Sequence, residues 1–199
     1  MMPPISNTPA ILLDSKRLYL RRLEKDDLHL LTRLFCDPHM MHYLGGTWTF
    51  DLVTETLHEW QAEWGRNNYY YGALVRKDSS QPIGIAGFTE NTIPDEPGLE
   101  FSWFILPEHQ RQGFATEITR EILAYAFEQI KIDRVLAQTH PENLASSRVL
   151  ARSSFVKIDS KTNHYDFLPG FDQQALWEHK RADWKGLIER PIGRTEYHR

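Results

Sequence analysis

The stretch LEFSWFILPEHQRQGFATEITREILAYAFEQIKIDRVLAQTHPENLAS (Leu99–Ser146) decides how the chain folds. It opens on an apolar run, Leu99 to Leu106, that reads as a strand. An amphipathic run from Ile118 to Ile130 follows and reads as a helix, and Arg134 to His140 reads as another strand. Strand, helix and strand at this spacing predict a parallel pair joined by a crossover. Between the first strand and the helix stands HQRQGFATE (His109–Glu117), where a plain connection needs only a turn.

Outward from this unit the pattern changes. RLYLRRL (Arg17–Leu23) alternates as a strand, and EKDDLHLLTRLFCDP (Glu24–Pro38) reads as a helix with acidic residues crowding its start. TFDLVTETLHEWQAEWGRNN (Thr49–Asn68) reads as a second helix, with Leu52, Thr56, Trp60 and Trp64 at helical spacing. YYYGALVRK and PIGIAGFTE flank the turn-forming DSSQP and predict a hairpin. Beyond His140, NLASSRVLARSS reads as a short helix, FVKID and ALWEHK as strands, and RADWKGL as a helical turn. The segment HYDFLPGFDQQ reads as an extended loop. The sum is an α+β (mixed α/β) layout, a mostly antiparallel sheet with a parallel pair across residues 99–140.

A chain of 199 residues is most simply one domain, here with an N-terminal tail at 1–15 and a C-terminal tail at 189–199. A hydrophobic share of 41% and a charged share of 25% are those of an ordinary soluble globular protein. The formal net charge of -4 argues against general nucleic-acid binding, which needs phosphate-neutralising cations. The single Cys36 excludes an intrachain disulfide and fits a reducing compartment. No run is long and apolar enough to span a bilayer, and the N-terminus does not read as a signal peptide. The expected location is therefore cytoplasmic, away from membranes.

The junction before the helix has a physical use. A helix start presents backbone N–H groups with no intrahelical partner and partial positive charge. Glycine there lets an anion approach the main chain. Gly113 precedes Phe114, Ala115 and Thr116, all able to offer amides, and Arg111 can add a charge-assisted contact. Neither the Gly-Lys-Ser/Thr ending of nucleotide hydrolases nor a three-glycine dinucleotide fingerprint is present. Taken alone the stretch leaves two readings open, a phosphate loop or a turn glycine before a surface helix.

Taken with its neighbours, the region Leu99–Phe155 resembles the GNAT superfamily of acyl-CoA-dependent N-acetyltransferases. It is similar in particular to the branch of ribosomal-protein N-terminal acetyltransferases. The branch's Gln/Arg-x-x-Gly-x-Gly/Ala is met by Gln110, Gly113 and Ala115, and "PEN-x-AS" by Pro141, Glu142, Asn143, Ala145 and Ser146. The resemblance implies a GNAT-like fold: a central sheet of six to seven strands, mostly antiparallel, with flanking helices. Its fourth and fifth strands, the pair around residues 99–140, would be parallel and splayed. One departure is Ser153-Ser154-Phe155, where the family has Leu-Gly-Phe. A left-handed backbone at Ser154 would cost about 1 kcal/mol relative to glycine.

The resemblance further implies acetyl-CoA as cosubstrate, with no metal, and a primary amine as acceptor, either a protein N-terminus or a small molecule. The pyrophosphate would lie on Gln110, Arg111, Gln112, Gly113, Phe114, Ala115 and Thr116, and the pantetheine arm between the splayed strands along Phe104 and Ile105. Asn143 would contact the pantetheine or the leaving group, although an asparagine opening NLASS also reads as a helix N-cap. Ser146 matches a serine that protonates the departing thiolate, and Arg148 would reach the coenzyme's phosphates. Glu100, with Ser102 on one face of an otherwise apolar strand, is the candidate general base; the bland alternative is an ordinary hydrogen-bonded strand residue.

His140, followed by Pro141, reads as structural, and Cys36 as a buried small residue rather than a nucleophile. Tyr43, Trp48, Trp60 and Trp64 read as core and groove lining. Dimers are common in the family, so a homodimer is an expectation that the sequence does not itself fix. The rival function is a catalytically idle acyl-CoA-binding module, which would keep Gln110, Gly113 and Ala115 without needing Glu100 or Ser146.

Overall fold

The computed structural model describes residues 11–67, 70–90, 98–158 and 174–186. Among these residues eight strands form one sheet: β1 (Ile11–Asp14), β2 (Leu18–Arg22), β3 (Gly72–Arg76), β4 (Pro82–Glu90), β5 (Leu99–Ile105), β6 (Arg134–Thr139), β7 (Val156–Ile158) and β8 (Ala175–Lys180). The α-helices described beside it are α1 (Leu28–Phe35), α2 (Phe50–Asn67), α3 (Phe114–Ala124) and α4 (Leu144–Arg152). The spatial order is β1-β2-β3-β4-β5-β6-β8-β7, and every neighbouring pair is antiparallel except β5 and β6. This is the mixed α+β architecture that the sequence predicts, with one strand more than the six to seven expected.

The additional strand is β1, whose residues the sequence reading assigns to a tail. Ile11–Asp14 is too short and irregular to announce itself, and it is recruited as an edge by pairing with β2 across a bulge. The α2 face is also shifted from its prediction. Val53, Thr56, Leu57, Trp60 and Trp64 point inward, while Leu52 is 43% exposed. A strict i, i+4 row drifts about 40° per step around a helix, so its first member falls off the buried stripe. The acidic start of the first helix is divided: a 3-10 turn covers Lys25–Asp27, and Asp27 turns inward to a two-point pair with Arg21, at 2.6 and 2.9 Å.

The sheet separates two apolar cores. On one side α3 and α4 place Phe114, Ile118, Ile122 and Leu150 against Leu99, Phe101 and Ile105 of β5. On the other, α1 and α2 pack Leu31, Leu34, Phe35 and Trp60 against Tyr71, Ile85 and the half-buried Phe104. Side chains alternate across β5 by the period of two, so Glu100, Ser102 and Phe104 share the α1–α2 side. The sequence reading put Glu100 and Ser102 on a face apart from Leu99, Phe101 and Trp103, and the packing agrees.

Candidate active site

The feature that opens the sheet lies between β5 and β6. Their parallel ladder consists of Leu99↔Val135 and Glu100↔Leu136, and no pairing continues beyond Glu100. From there β5 stays with β4 up to Gly84↔Ile105, while β6 stays with β8 up to Thr139↔Ala175. The two strands diverge, each held by its other neighbour, and leave a wedge of backbone between them.

The wedge's wide end meets the β5–α3 loop. The Gln110 side chain donates from Nε2 to the Ile105 carbonyl at 2.8 Å, tying the loop to the strand end. Arg111 (φ +59°) and Gly113 (φ +82°) both take left-handed backbone, and Gly113 is the helix N-cap. The first intrahelical donor is Glu117 N–H to the Gly113 carbonyl, 3.0 Å. The amides before it, from Gly113 through Thr116, therefore have no partner within the helix. Arg111, Gln112 and Gly113 are exposed, Ala115 and Thr116 half-buried, and Phe114 is turned into the core. A Cβ added at Gly113 would stand 3.4 Å from Arg17 Nη2, with room enough, but in a conformation that side chains avoid.

Glu117, in the first turn of α3, fixes the helix to the β1–β2 turn. It accepts from Ser15 Oγ (2.7 Å), Arg17 N–H (2.7 Å) and Arg17 Nε (2.6 Å), and Arg17 Nη1 also reaches the Gln112 carbonyl at 2.9 Å. Burial alone would raise the Glu117 carboxyl, but the Ser15 and Arg17 hydrogen bonds outweigh it and hold its pKa below the usual range. The Arg17 guanidinium stacks over Phe114 at 4.4 Å. Neither partner was singled out from sequence, because the contact joins residues about 100 positions apart.

At the wedge's narrow end Glu100 is 8% exposed, and its Oε2 accepts from Gln138 Nε2 of β6 at 3.0 Å. The buried Tyr71 lies on the same side. Burial raises its phenol pKa, hydrogen bonds with Ser102 and Thr89 oppose that, and the Glu100 charge adds to the rise. Tyr71 owes its place to Gly87, whose missing side chain leaves room for the Tyr70 carbonyl, 2.2 Å from where a Cβ would be. Its own carbonyl accepts from Trp64 Nε1 at 2.6 Å. Sequence reasoning passed over Gln138, for which the period-two alternation of Leu136 and Gln138 was the available signal; it read Tyr69-Tyr70-Tyr71 as a strand edge of which one ring could border the acceptor.

The third contribution comes from the start of α4. Asn143 is its N-cap, and its side-chain oxygen accepts from Ser146 N–H at 3.1 Å, as the cap reading expects. Ser146 is half-buried and Arg148 exposed. Phe104 sends its ring to Phe35 (5.2 Å) and Ile105 is buried toward α3, so these two residues offer the wedge main chain rather than side chain. His140 stacks on Tyr43 at 5.1 Å, and Tyr43 Oη donates to the Glu142 carbonyl at 3.4 Å. The segment between α1 and α2 thereby touches the loop that leads into α4. Trp60 and Trp64 are buried, Trp48 stacks on Phe35 at 4.4 Å, and Cys36 is half-buried against the same cluster. Among the described residues no group of three or more His, Cys, Asp or Glu could hold a metal ion. None of their helices is long and apolar enough to cross a membrane. Of the segment HYDFLPGFDQQ (His164–Gln174), read from sequence as an extended loop, only Gln174 is among the described residues.

Comparison with known proteins agrees with the fold. The family model described as "Acetyltransferase (GNAT) domain" matches residues 17–156. An uncharacterized N-acetyltransferase, p20, from Bacillus licheniformis is 28% identical over 149 residues, which are 72% of this chain and 81% of that protein. A spermidine N-acetyltransferase from Vibrio cholerae, solved with CoA and spermine, superposes with a TM-score of 0.69 at 21% identity, covering 84% of this chain and 97% of that one. A ribosomal-protein-S5-alanine acetyltransferase from Vibrio fischeri gives 0.67 at 19% identity, covering 86% and 97%. At these identities the solved structures share the fold, and they do not choose between acceptors.

Proposed function

We propose, from the premise that the chain belongs to the acetyltransferase (GNAT) family and is an acetyltransferase, that it moves an acetyl group from acetyl-CoA to a primary amine by direct attack in a ternary complex. The observation that carries this reading is the divergence of β5 and β6 immediately after Glu100, with the unpaired amides of α3 at the wide end. Such a wedge suits an extended arm whose amide groups can pair with strand edges. The exposed Gly113 cradle suits a pyrophosphate at its end. When bound, acetyl-CoA supplies an acyl thioester that an amine can attack without metal or acyl-enzyme.

The chain's own residues supply the rest. The amides of Gly113, Phe114, Ala115 and Thr116, with Gln112 and the charges of Arg111 and Arg148, hold the phosphates. Gln110 keeps this loop on the end of β5. The wedge main chain at Phe104 and Ile105 aligns the arm, and placement of two reactants is itself a large part of such catalysis. Glu100, buried at the apex, takes the proton from the incoming ammonium. Ser146, on the first turn of α4 beside Asn143, returns a proton to the leaving thiolate. The relation to the ribosomal-protein N-terminal acetyltransferases rests on "PEN-x-AS" and "QRQGFA".

The acceptor is an amine that arrives as a cation. The net charge of -4 steers it, and Glu63, Glu59 and Glu90 lie close enough to Tyr70 to add to the rise that burial gives its phenol pKa. A thiol-release assay across peptide N-termini, polyamines and aminoglycosides tests the proposal, with turnover on at least one class expected. Acetyl-CoA binding without turnover on any of them would favour the idle module. Glu100→Gln is expected to lower kcat by about a hundredfold and to remove the acidic limb of the rate profile, with acetyl-CoA affinity retained. A profile identical to that of the wild type would exclude Glu100 as the base.

A further inference from the structure

We propose that Gln138 is the positioning residue for Glu100; the inference rests on the reading of Glu100 as base and adds the group that makes its carboxylate usable. The geometry follows from the last rung of the parallel ladder. Glu100 pairs with Leu136, so their side chains leave the sheet on one face. Leu136 packs with Leu176 there, apart from the α3-side core, and Gln138 returns to that face two residues later. At Gln138 the main chains have already separated. The side-chain amide crosses the gap instead, and Nε2 donates to Glu100 Oε2 at 3.0 Å.

Both ends of this bond are anchored. Glu100 is in register with Thr89 on β4 and Gln138 with Leu176 on β8, so neither backbone can drift with the wedge. A carboxylate only 8% exposed requires donors to remain charged. A cationic donor would hold it ionised and poor as a base, whereas a neutral amide orients it at a smaller cost in basicity. Tyr71 faces it from the start of β3, with its phenol engaged by Ser102 and Thr89. Arg134 and Glu178, farther along the same face, are paired with each other at 3.1 Å. Gln138 thus keeps the carboxylate at the apex, aimed at the point where the strands part, instead of letting it swing toward Tyr71.

Gln138→Met keeps the length and removes the donor, and Gln138→Glu keeps the shape and replaces the donor by a second carboxylate. Three readouts apply: the pH profile of kcat/KM with the best amine of the panel, acetyl-CoA affinity by calorimetry, and the carboxyl-carbon NMR titration of Glu100. Removing a donor from the charged form raises the carboxyl pKa, so the acidic limb and the Glu100 titration are expected to move up together. The expected shift is about one pH unit in Q138M and more in Q138E, with kcat/KM about tenfold lower. Acetyl-CoA affinity is expected to stay within about twofold. A Glu100 titration that stays in place in Q138M would overturn the proposal, even if activity falls. Should Q138M fail to fold, Q138L, which also lacks the donor and adds no charge, gives the same titration. The E100Q variant separates the two failures: an acidic limb that survives it removes the base, while a limb lost in E100Q and unmoved in Q138M removes only the role of Gln138.

Discussion

The two faces of the sheet are built on different principles. On the α3 side the decisive features are backbone conformations: left-handed Arg111 and Gly113, the unpaired amides of the first turn, and the left-handed Ser154 that ends α4. On the α1–α2 side the decisive features are ring contacts. Phe35 meets Trp48, Trp60 and Phe104 at centroid distances of 4.4, 5.8 and 5.2 Å, and Trp60 meets Tyr71 at 4.5 Å. A backbone conformation depends on a few adjacent residues, so it leaves a short motif behind. A packed aromatic wall depends on complementary volumes drawn from distant segments and can be rebuilt in many ways. On the proposed reading, the coenzyme would meet the half set by backbone conformation and the acceptor the half built of packed rings.

The largest expected effect lies on the packed side. Trp60→Ala deletes a ring in contact with Phe35, Tyr70 and Tyr71. It is expected to cost about 3–5 kcal/mol in denaturant-measured stability. Acetyl-CoA affinity of the folded protein is expected to hold within about twofold while the amine KM rises. Coenzyme affinity falling in proportion to stability would break the division between the faces.

A smaller effect, on the other half, is expected from Gly113→Val. A branched side chain at φ +82° is strained by about 1–2 kcal/mol, and its methyl groups would crowd the approach to the amides. Acetyl-CoA is expected to bind about 10- to 100-fold more weakly, with the amine KM at saturating coenzyme unchanged. Unchanged coenzyme affinity would mean that the loop is a turn and the phosphate lies elsewhere.

The same division explains what was legible in the sequence. The β5–α3–β6 unit, the hairpin around DSSQP and the Asn143 cap could be read locally, because alternation, turn residues and caps act within a few positions. β1 could not, since its four residues become a strand only by pairing with β2. The α2 face was misread at Leu52 because the row was followed too strictly. At the site, Gln110 and Gly113 were visible as a motif and Glu100 as a charge in an apolar strand. Gln138 and the Arg17–Glu117 anchor were not, since each acts through a partner brought near only by the sheet or by the packing against it.

The smallest expected effect sharpens the claim that the α3 side is written in backbone. Ser154 has φ +63° and is the left-handed residue of a Schellman ending: its N–H reaches the Ala151 carbonyl at 3.1 Å, and Phe155 N–H reaches the Leu150 carbonyl at 3.0 Å. Leu150 and Phe155 then pack into the α3-side core. All of the geometry that glycine would provide is present, made by a residue that is strained in providing it. Ser154→Gly removes about 1–2 kcal/mol of left-handed strain. It also frees the unfolded chain by about 0.5–1 kcal/mol. The net gain is expected to be about 0.5–1 kcal/mol, or roughly 1–3 °C in Tm, with kcat and acetyl-CoA affinity unchanged. A loss of stability instead would show that the serine hydroxyl contributes more than the backbone it strains, and that this face too depends on its side chains.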